Sequence, residues 1–262
     1  RCRAGGGAMN AHVAVLMGGW SAEREVSLIS GRACALALRG AGYRVTEIDV
    51  DETLTHRLSG LKPDVVFNAL HGRWGEAGCV QGLLGRLRLP YTHSGVLSSM
   101  IAMNKFLSKQ LFIKHRIRTP NYFFLSERDY SDANLKSKIK KNKLKFPVVI
   151  KPNDEGSSVG VKICKTLSSL KNHFNKLKKK YKNLIFETFI PGKEIQVALM
   201  GGRSIGAIEL RPRREFYDYD AKYKKSAKTL HVMPAEIPKN KHREVLKRSE
   251  ERRVGKECRS RW

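Results

Sequence analysis

The chain has 262 residues, enough for two or three modest domains with cores of their own. Its 41% apolar content and scattered aromatics exclude a disordered chain, and no apolar run reaches the roughly 18 residues that a membrane-spanning helix needs. The net charge of +27 invites a nucleic-acid reading, but the charge is unevenly made: the first hundred residues carry ten Arg and one Lys, whereas residues 101–247 carry 26 Lys and eight Arg.

That switch reads as a change of codon or genome bias, not as a binding surface. It raises the expectation of a composite of two sources joined near Met100. The densest run, Lys136 to Lys145, reads as the solvated face of a polar helix, so no nucleic acid is expected as a partner. Five scattered cysteines, none in C-x-x-C, argue against zinc or a disulfide framework and for a reducing, cytoplasmic setting. Arg1 to Asn10 lacks the apolar core of a secretory signal, and Arg1 to Ala8 reads as material ahead of a start at Met9.

His12 to Met17 is an apolar run ending in Gly18-Gly19, with Ser21 expected to cap a helix patterned through Val26, Leu28, Ile29, Ala33, Leu36 and Ala37. Tyr43 to Ile48 and Val65 to Leu70 read as two more strands with a weak helix between. This β-α-β alternation predicts an open parallel sheet with ligands at the carboxyl ends of its strands. Two loops leave that edge, Gly18 to Glu23 and His71 to Glu76. Helices are expected over 78–87 and 95–115, then a strand over 122–125.

The next stretch is Lys151-Pro152-Asn153-Asp154-Glu155-Gly156-Ser157-Ser158-Val159-Gly160-Val161, between apolar runs at 146–150 and 159–163. Strand, Gly/Ser turn and strand form a hairpin whose backbone N–H groups and hydroxyls can line an anion, with Lys151 as a point charge. It matches neither the Walker nor the Rossmann fingerprint, and the glycines alone are equally those of an ordinary tight hairpin. A lysine-rich helix over 167–181, a strand over 184–189 and a hairpin of 194–200 with 204–210 across Gly201-Gly202 follow. Residues 211–229 form a long polar loop with Phe216, Tyr217, Tyr219 and Tyr223, the pattern of a functional lid.

Four signatures stand in order: Gly18-Gly19-x-Ser21-Ala22-Glu23, Leu70-His71-Gly72-Arg73, Lys151-Pro152 with Glu155 to Gly160, and Phe216-Tyr217-Asp218-Tyr219-x-Ala221-Lys222-Tyr223. Together, over about residues 12–245, they resemble the D-alanine–D-alanine ligases of the ATP-grasp superfamily. The resemblance implies an α/β chain: an N-terminal open parallel α/β domain over 9–103, then an ATP-grasp fold. Its subdomains would be a central one over 104–187 and an incomplete C-terminal one over 188–247, with 248–262 a non-native tail. It implies ATP and D-alanine as ligands, Mg2+ or Mn2+ as cofactor, no membrane partner, and a homodimer as a family-level expectation. It implies that Glu23 holds the ammonium of the first D-alanine, with Ser157 and Tyr223 closing the lid on it. Lys105, Lys151 and Lys222 would contact ATP phosphates. Glu187, Phe189, Ile190 and Glu194 would take the adenine or ribose end, and His71 and Ser158 the substrate. Relatives that make D-alanyl-D-lactate tend to carry Phe at the lid position, so Tyr223 favours an amine as second substrate, with D-lactate or D-serine the alternative.

The departures are a family arginine for the oxyanion and an Asp, Glu and Asn metal set, none of which is matched in Lys241 to Trp262. No metal ligand is therefore assigned in this chain. Expectation favours a nucleotide-binding polypeptide with little or no turnover, since phosphoryl transfer needs its charge neutralised. Ala77, where an acid is common, and Asn104 before Lys105 are smaller departures.

Overall fold

A computed structural model of the chain describes residues 11–212 and 229–251. The chain divides into two compact units, Arg1–Met103 and Asn104–Trp262.

The first unit begins β1 (His12–Met17), α1 (Arg24–Gly40), β2 (Arg44–Asp49), α2 (Leu54–Leu61) and β3 (Val65–Asn68). The strands are parallel in the order β2-β1-β3, with Leu16 opposite Ile48 on one side and Asn68 on the other. Every residue of β1 is buried, as a central parallel strand covered on both faces requires. Ala14 and Leu16 pack with Ile48, Leu54 and Leu58 on one face, and Val13, Val15 and Met17 with Ala35 on the other.

Helix α1 differs from the expected pattern in two ways. It docks through Ser27, Gly31 and Ala35, while Ile29 and Leu36 are exposed. Close approach explains this: a Cβ on Gly31 would lie 2.5 Å from the Met17 Cβ, so only small side chains fit at the contact. Ser21 also does not cap the helix. Glu23 takes the N-cap place with no side-chain cap bond, and the Ser21 hydroxyl accepts the Glu23 N–H at 3.1 Å in a local turn.

The unit ends with α3 (Gly72–Glu76), α4 (Cys79–Arg86) and α5 (Val96–Met103). The stretch expected as a loop after His71 is therefore largely a short helix. The single helix expected over 95–115 is two, broken at Asn104. There the backbone is extended (φ −82°, ψ 102°), and the side chain accepts the Leu107 N–H at 2.9 Å to cap the next helix.

The second unit contains α6 (Lys105–Lys114), β4 (Tyr122–Ser126), α7 (Asp132–Lys141), β5 (Val148–Pro152), β6 (Lys162–Cys164), α8 (Leu167–Leu177) and β7 (Asn183–Thr188). Its sheet is antiparallel in the order β4-β7-β5-β6. Phe123, Leu125, Val148, Ile150, Leu184 and Phe186 share one face, covered by Leu135 of α7 and Leu170 and Phe174 of α8. The register places Tyr122, Phe124, Val149, Lys151, Ile185 and Glu187 on the opposite face. A second sheet follows: β8 (Glu194–Met200), β9 (Arg203–Arg211) and β10 (Leu230–Val232), in the order β10-β9-β8. Gly201 and Gly202 turn the β8–β9 hairpin with φ +58° and +93°, as a two-residue primed turn demands. The helix Lys239–Glu251 follows, and its Glu250 carboxylate accepts from the Ser204 N–H and hydroxyl at 2.9 and 2.8 Å. Among the described residues no helix is long and apolar enough to cross a membrane.

Candidate active site

In the first unit, the two loops at the carboxyl edge of the parallel sheet are tied together by one side chain. The buried Ser27 hydroxyl accepts the Gly18 N–H at 2.9 Å and donates to the Ala69 carbonyl at 2.7 Å. Glu23 is buried beside this tie. A Cβ on Gly72 would sit 3.1 Å from Glu23 Oε2 and 2.9 Å from Ser21 Cβ, so the carboxylate lies against the start of α3. The Gly72 N–H donates to Glu76 Oε2 at 2.8 Å. Desolvation, reinforced by the negative charge of Glu23, raises the Glu76 carboxyl above its usual range against that bond. His71 Nε2 lies 3.3 Å from Ser30 Oγ. Buried Asn68 and Gln81 both donate to the Gly75 carbonyl, at 2.9 and 2.8 Å, and so position α3. Trp20 and Trp74, one from each loop, meet edge to face at 5.6 Å and are half exposed. Glu23 and His71 thus both stand at the edge where the two loops meet.

In the second unit, α6 and the β5–β6 hairpin build a cationic site. The buried Asn153 Oδ1 accepts the Phe106 N–H at 2.9 Å and its carbonyl accepts the Lys105 N–H at 3.1 Å, which pins the start of α6 to the hairpin loop. Lys105 Nζ donates to the Asn153 carbonyl at 3.3 Å and to the Glu155 carbonyl. Burial, with the charge of Lys151 added, pushes its ammonium down to about 8; Asp154, Glu155 and Glu187 offset part of this. Ser157, Ser158 and Gly160 all have left-handed backbones (φ +46°, +63° and +70°). At Gly160 a Cβ would also lie 2.8 Å from Pro152 Cγ, so the loop turns where only glycine fits.

Lys151 does not stand free at the loop. Its ammonium rests on Glu187 Oε1, while Lys109 Nζ lies 2.9 Å from Glu187 Oε2. Glu187, expected to face a nucleotide, is 8% exposed and carries both ammoniums. Burial opposes its ionisation, but the charges of Lys151 and Lys109 outweigh burial and hold the carboxyl below its ordinary range. The Phe189 N–H donates to the Pro147 carbonyl at 2.9 Å, just past the end of β7, and Ile190 is exposed. Glu194 is exposed at the start of β8, opposite Leu210. Lys222 and Tyr223 lie outside the described residues, as does most of the 211–229 lid stretch.

Sequence reasoning missed Lys109, four residues after Lys105 and therefore on the same helix face, a spacing that was readable. It also missed the tie made by Ser27 and a charged cluster on the second sheet. There the buried Glu209 accepts from Arg211 Nε at 2.8 Å and lies 3.1 Å from Lys193 Nζ. Arg211 also pairs with Glu236 at 2.7 Å. The lysine pair and the loop hydroxyls suit a polyphosphate by donor chemistry. A divalent metal is a different matter: among the described residues no three His, Cys, Asp or Glu side chains cluster, so those residues do not by themselves fit such an ion.

The model for the D-ala D-ala ligase C-terminus matches residues 111–252. The D-alanine–D-alanine ligase of Pelagibacter ubique is 49% identical over 232 residues, 88% of this chain and 75% of that protein. That of Novosphingobium aromaticivorans is 45% identical, over 87% and 71%. Among solved structures, the D-alanine–D-alanine ligase from Bacillus anthracis superposes with a TM-score of 0.79 at 33% identity, covering 92% of this chain and 77% of its own. The same enzyme complexed with ATP gives 0.77 at 30%, covering 92% and 76%. A parallel βαβ unit followed by two antiparallel sheets, seen with these likenesses, defines an ATP-grasp protein. The chain belongs to the D-alanine–D-alanine ligase family.

Proposed function

We propose that the chain is an ATP-dependent ligase that joins two D-alanines for the bacterial cell wall. The observation that carries the reading is the convergence of Lys105 and Lys151, from α6 and β5, at a hairpin loop with two left-handed serines, in a chain 49% identical to a D-alanine–D-alanine ligase.

In this reading Glu23 binds the ammonium of the first D-alanine, and His71 and Ser158 orient it. Lys105 and Lys151, with Lys222 from the lid, hold the phosphates of ATP. They stabilise the charge that spreads over the γ-phosphoryl group during transfer. The D-alanine carboxylate oxygen attacks the γ-phosphorus, the bond to the β-phosphate bridge breaks, and ADP leaves. The amine of the second D-alanine then attacks the acyl carbon of the D-alanyl phosphate; phosphate departs with the bonding electrons and the amine loses a proton. Ser157 and Tyr223 are assigned the exclusion of the water that would hydrolyse the acyl phosphate. Glu187, Phe189, Ile190 and Glu194 border the adenosine end.

The test supplies ATP with D-alanine or L-alanine and measures ADP, phosphate and dipeptide, alongside equilibrium binding of ATP. Saturable ATP binding is the expected result, and any dipeptide formed is made from the D-isomer with one ADP per bond. Neither saturable ATP binding nor any dipeptide would overturn the reading.

A further inference from the structure

Glu187 is a buried carboxylate shared by two lysines, and the two differ in kind. Lys151 is at the end of β5 beside the hairpin loop, with its ammonium on Oε1. Lys109 is 6% exposed and anchored on several sides: Nζ lies 2.9 Å from Glu187 Oε2, 2.6 Å from Thr119 Oγ1, 3.3 Å from the Pro120 carbonyl and 4.8 Å from the centre of the Tyr122 ring. The register explains the convergence: Val149 and Tyr122 flank Glu187 across the sheet, and α6 lies over that face with Lys105 and Lys109 one turn apart.

A nucleotide phosphate competes with Glu187 for the Lys151 ammonium. If Lys151 were the sole partner, its departure would strand a buried anion, which is strongly disfavoured. We propose that Lys109 is a positioning residue for the nucleotide site: it keeps the Glu187 carboxylate fixed and paired while Lys151 moves from Glu187 to a nucleotide phosphate. Lys109 touches no nucleotide itself and acts through Glu187. The inference rests on the proposed ATP site and assigns a role that the sequence motif leaves blank.

The experiment is calorimetric titration of the full chain with ATP and with adenosine, using Lys109→Met, Lys109→Arg, Glu187→Gln and the Lys109→Met/Glu187→Gln double variant. Lys109→Met is expected to weaken ATP at least tenfold, and Lys109→Arg, which keeps a positive charge on Glu187, to weaken it less. The double variant is expected to bind no more weakly than Glu187→Gln alone, because Lys109 works through that carboxylate. Independent, additive losses in the double variant would overturn the proposal, as would parental affinity in Lys109→Met. Should Lys109→Met fail to fold, Thr119→Val loosens the same ammonium and is expected to weaken ATP several-fold; unchanged affinity there would overturn it. If the parent binds neither ATP nor adenosine, the ATP site itself is wrong, a distinct outcome that removes this role with it.

Discussion

Lys105 offers a pH signature that ordinary lysines lack. Its ammonium is held down to about 8 by burial and by Lys151. A polyphosphate arriving between the two lysines reverses both effects and returns the ammonium toward its ordinary range near 10.4. The sign follows from linkage: the nucleotide-bound form holds more protons than the free form, so binding takes up protons and weakens as pH rises above 8. Uptake should be about half a proton near pH 8 and greatest near pH 9, where affinity falls by somewhat less than tenfold per unit, and it eases above that as the bound ammonium itself titrates. The phosphate's own last ionisation, near 6, lies below this window. Calorimetry in buffers of different ionisation enthalpy reads the uptake directly. Lys105→Arg, permanently charged, should abolish both the uptake and the alkaline loss. No uptake at pH 8, or an unchanged alkaline slope in Lys105→Arg, would refute the placement of Lys105 against phosphate.

Three further outcomes follow from packing and charge. Ser27→Ala removes the partner of the Gly18 N–H and the Ala69 carbonyl, so it should cost about 2–4 kcal/mol. Thermal unfolding of the first unit should move down by roughly 8–30 °C, and D-alanine binding, followed through Trp20 and Trp74 fluorescence, should weaken. Phe174→Ala empties a fully buried site, edge to face with Tyr130 and tilted against Phe186, and should cost about 3–5 kcal/mol, with denaturant unfolding showing the loss in the second unit. Glu209 is held at about 2, first by its bonds to Arg211 and then by Lys193. Its folded value lies below the unfolded one, so its stabilisation is present above the ordinary carboxylate range and is lost as pH falls through about 2. Glu209→Gln should flatten the decline of the denaturant midpoint between pH 5 and pH 2; an unchanged decline would contradict this.

Much of the fold was readable because β1 is a continuous apolar run and Gly18-Gly19 and Gly201-Gly202 punctuate the chain. What failed was packing detail. Apolar periodicity patterned α1 through Val26, Leu28, Ile29, Ala33, Leu36 and Ala37, yet the fully buried contact with β1 is made by Ser27, Gly31 and Ala35, with Leu28 half-buried beside it and Ile29 and Leu36 exposed. The break at Asn104 was hidden because apolar and lysine residues run on through it without Gly or Pro; the sole signal was a capping Asn three residues before an N–H it could accept. At the site, Lys151 was readable from the hairpin motif, and Lys105 only from the family resemblance. Lys109 was lost among other lysines, because its meaning comes from a carboxylate on a strand far along the chain. Glu187 was read as an open ligand group because sequence cannot show that two ammoniums already occupy it.

The most direct measurement compares ATP and adenosine binding by the parent protein and by Lys151→Met. The two-lysine phosphate site requires that the variant lose at least tenfold in ATP affinity while adenosine is bound nearly as before. Equal ATP affinity in parent and variant would mean that the hairpin between β5 and β6 holds no phosphate, and the ligase site would have to be sought elsewhere.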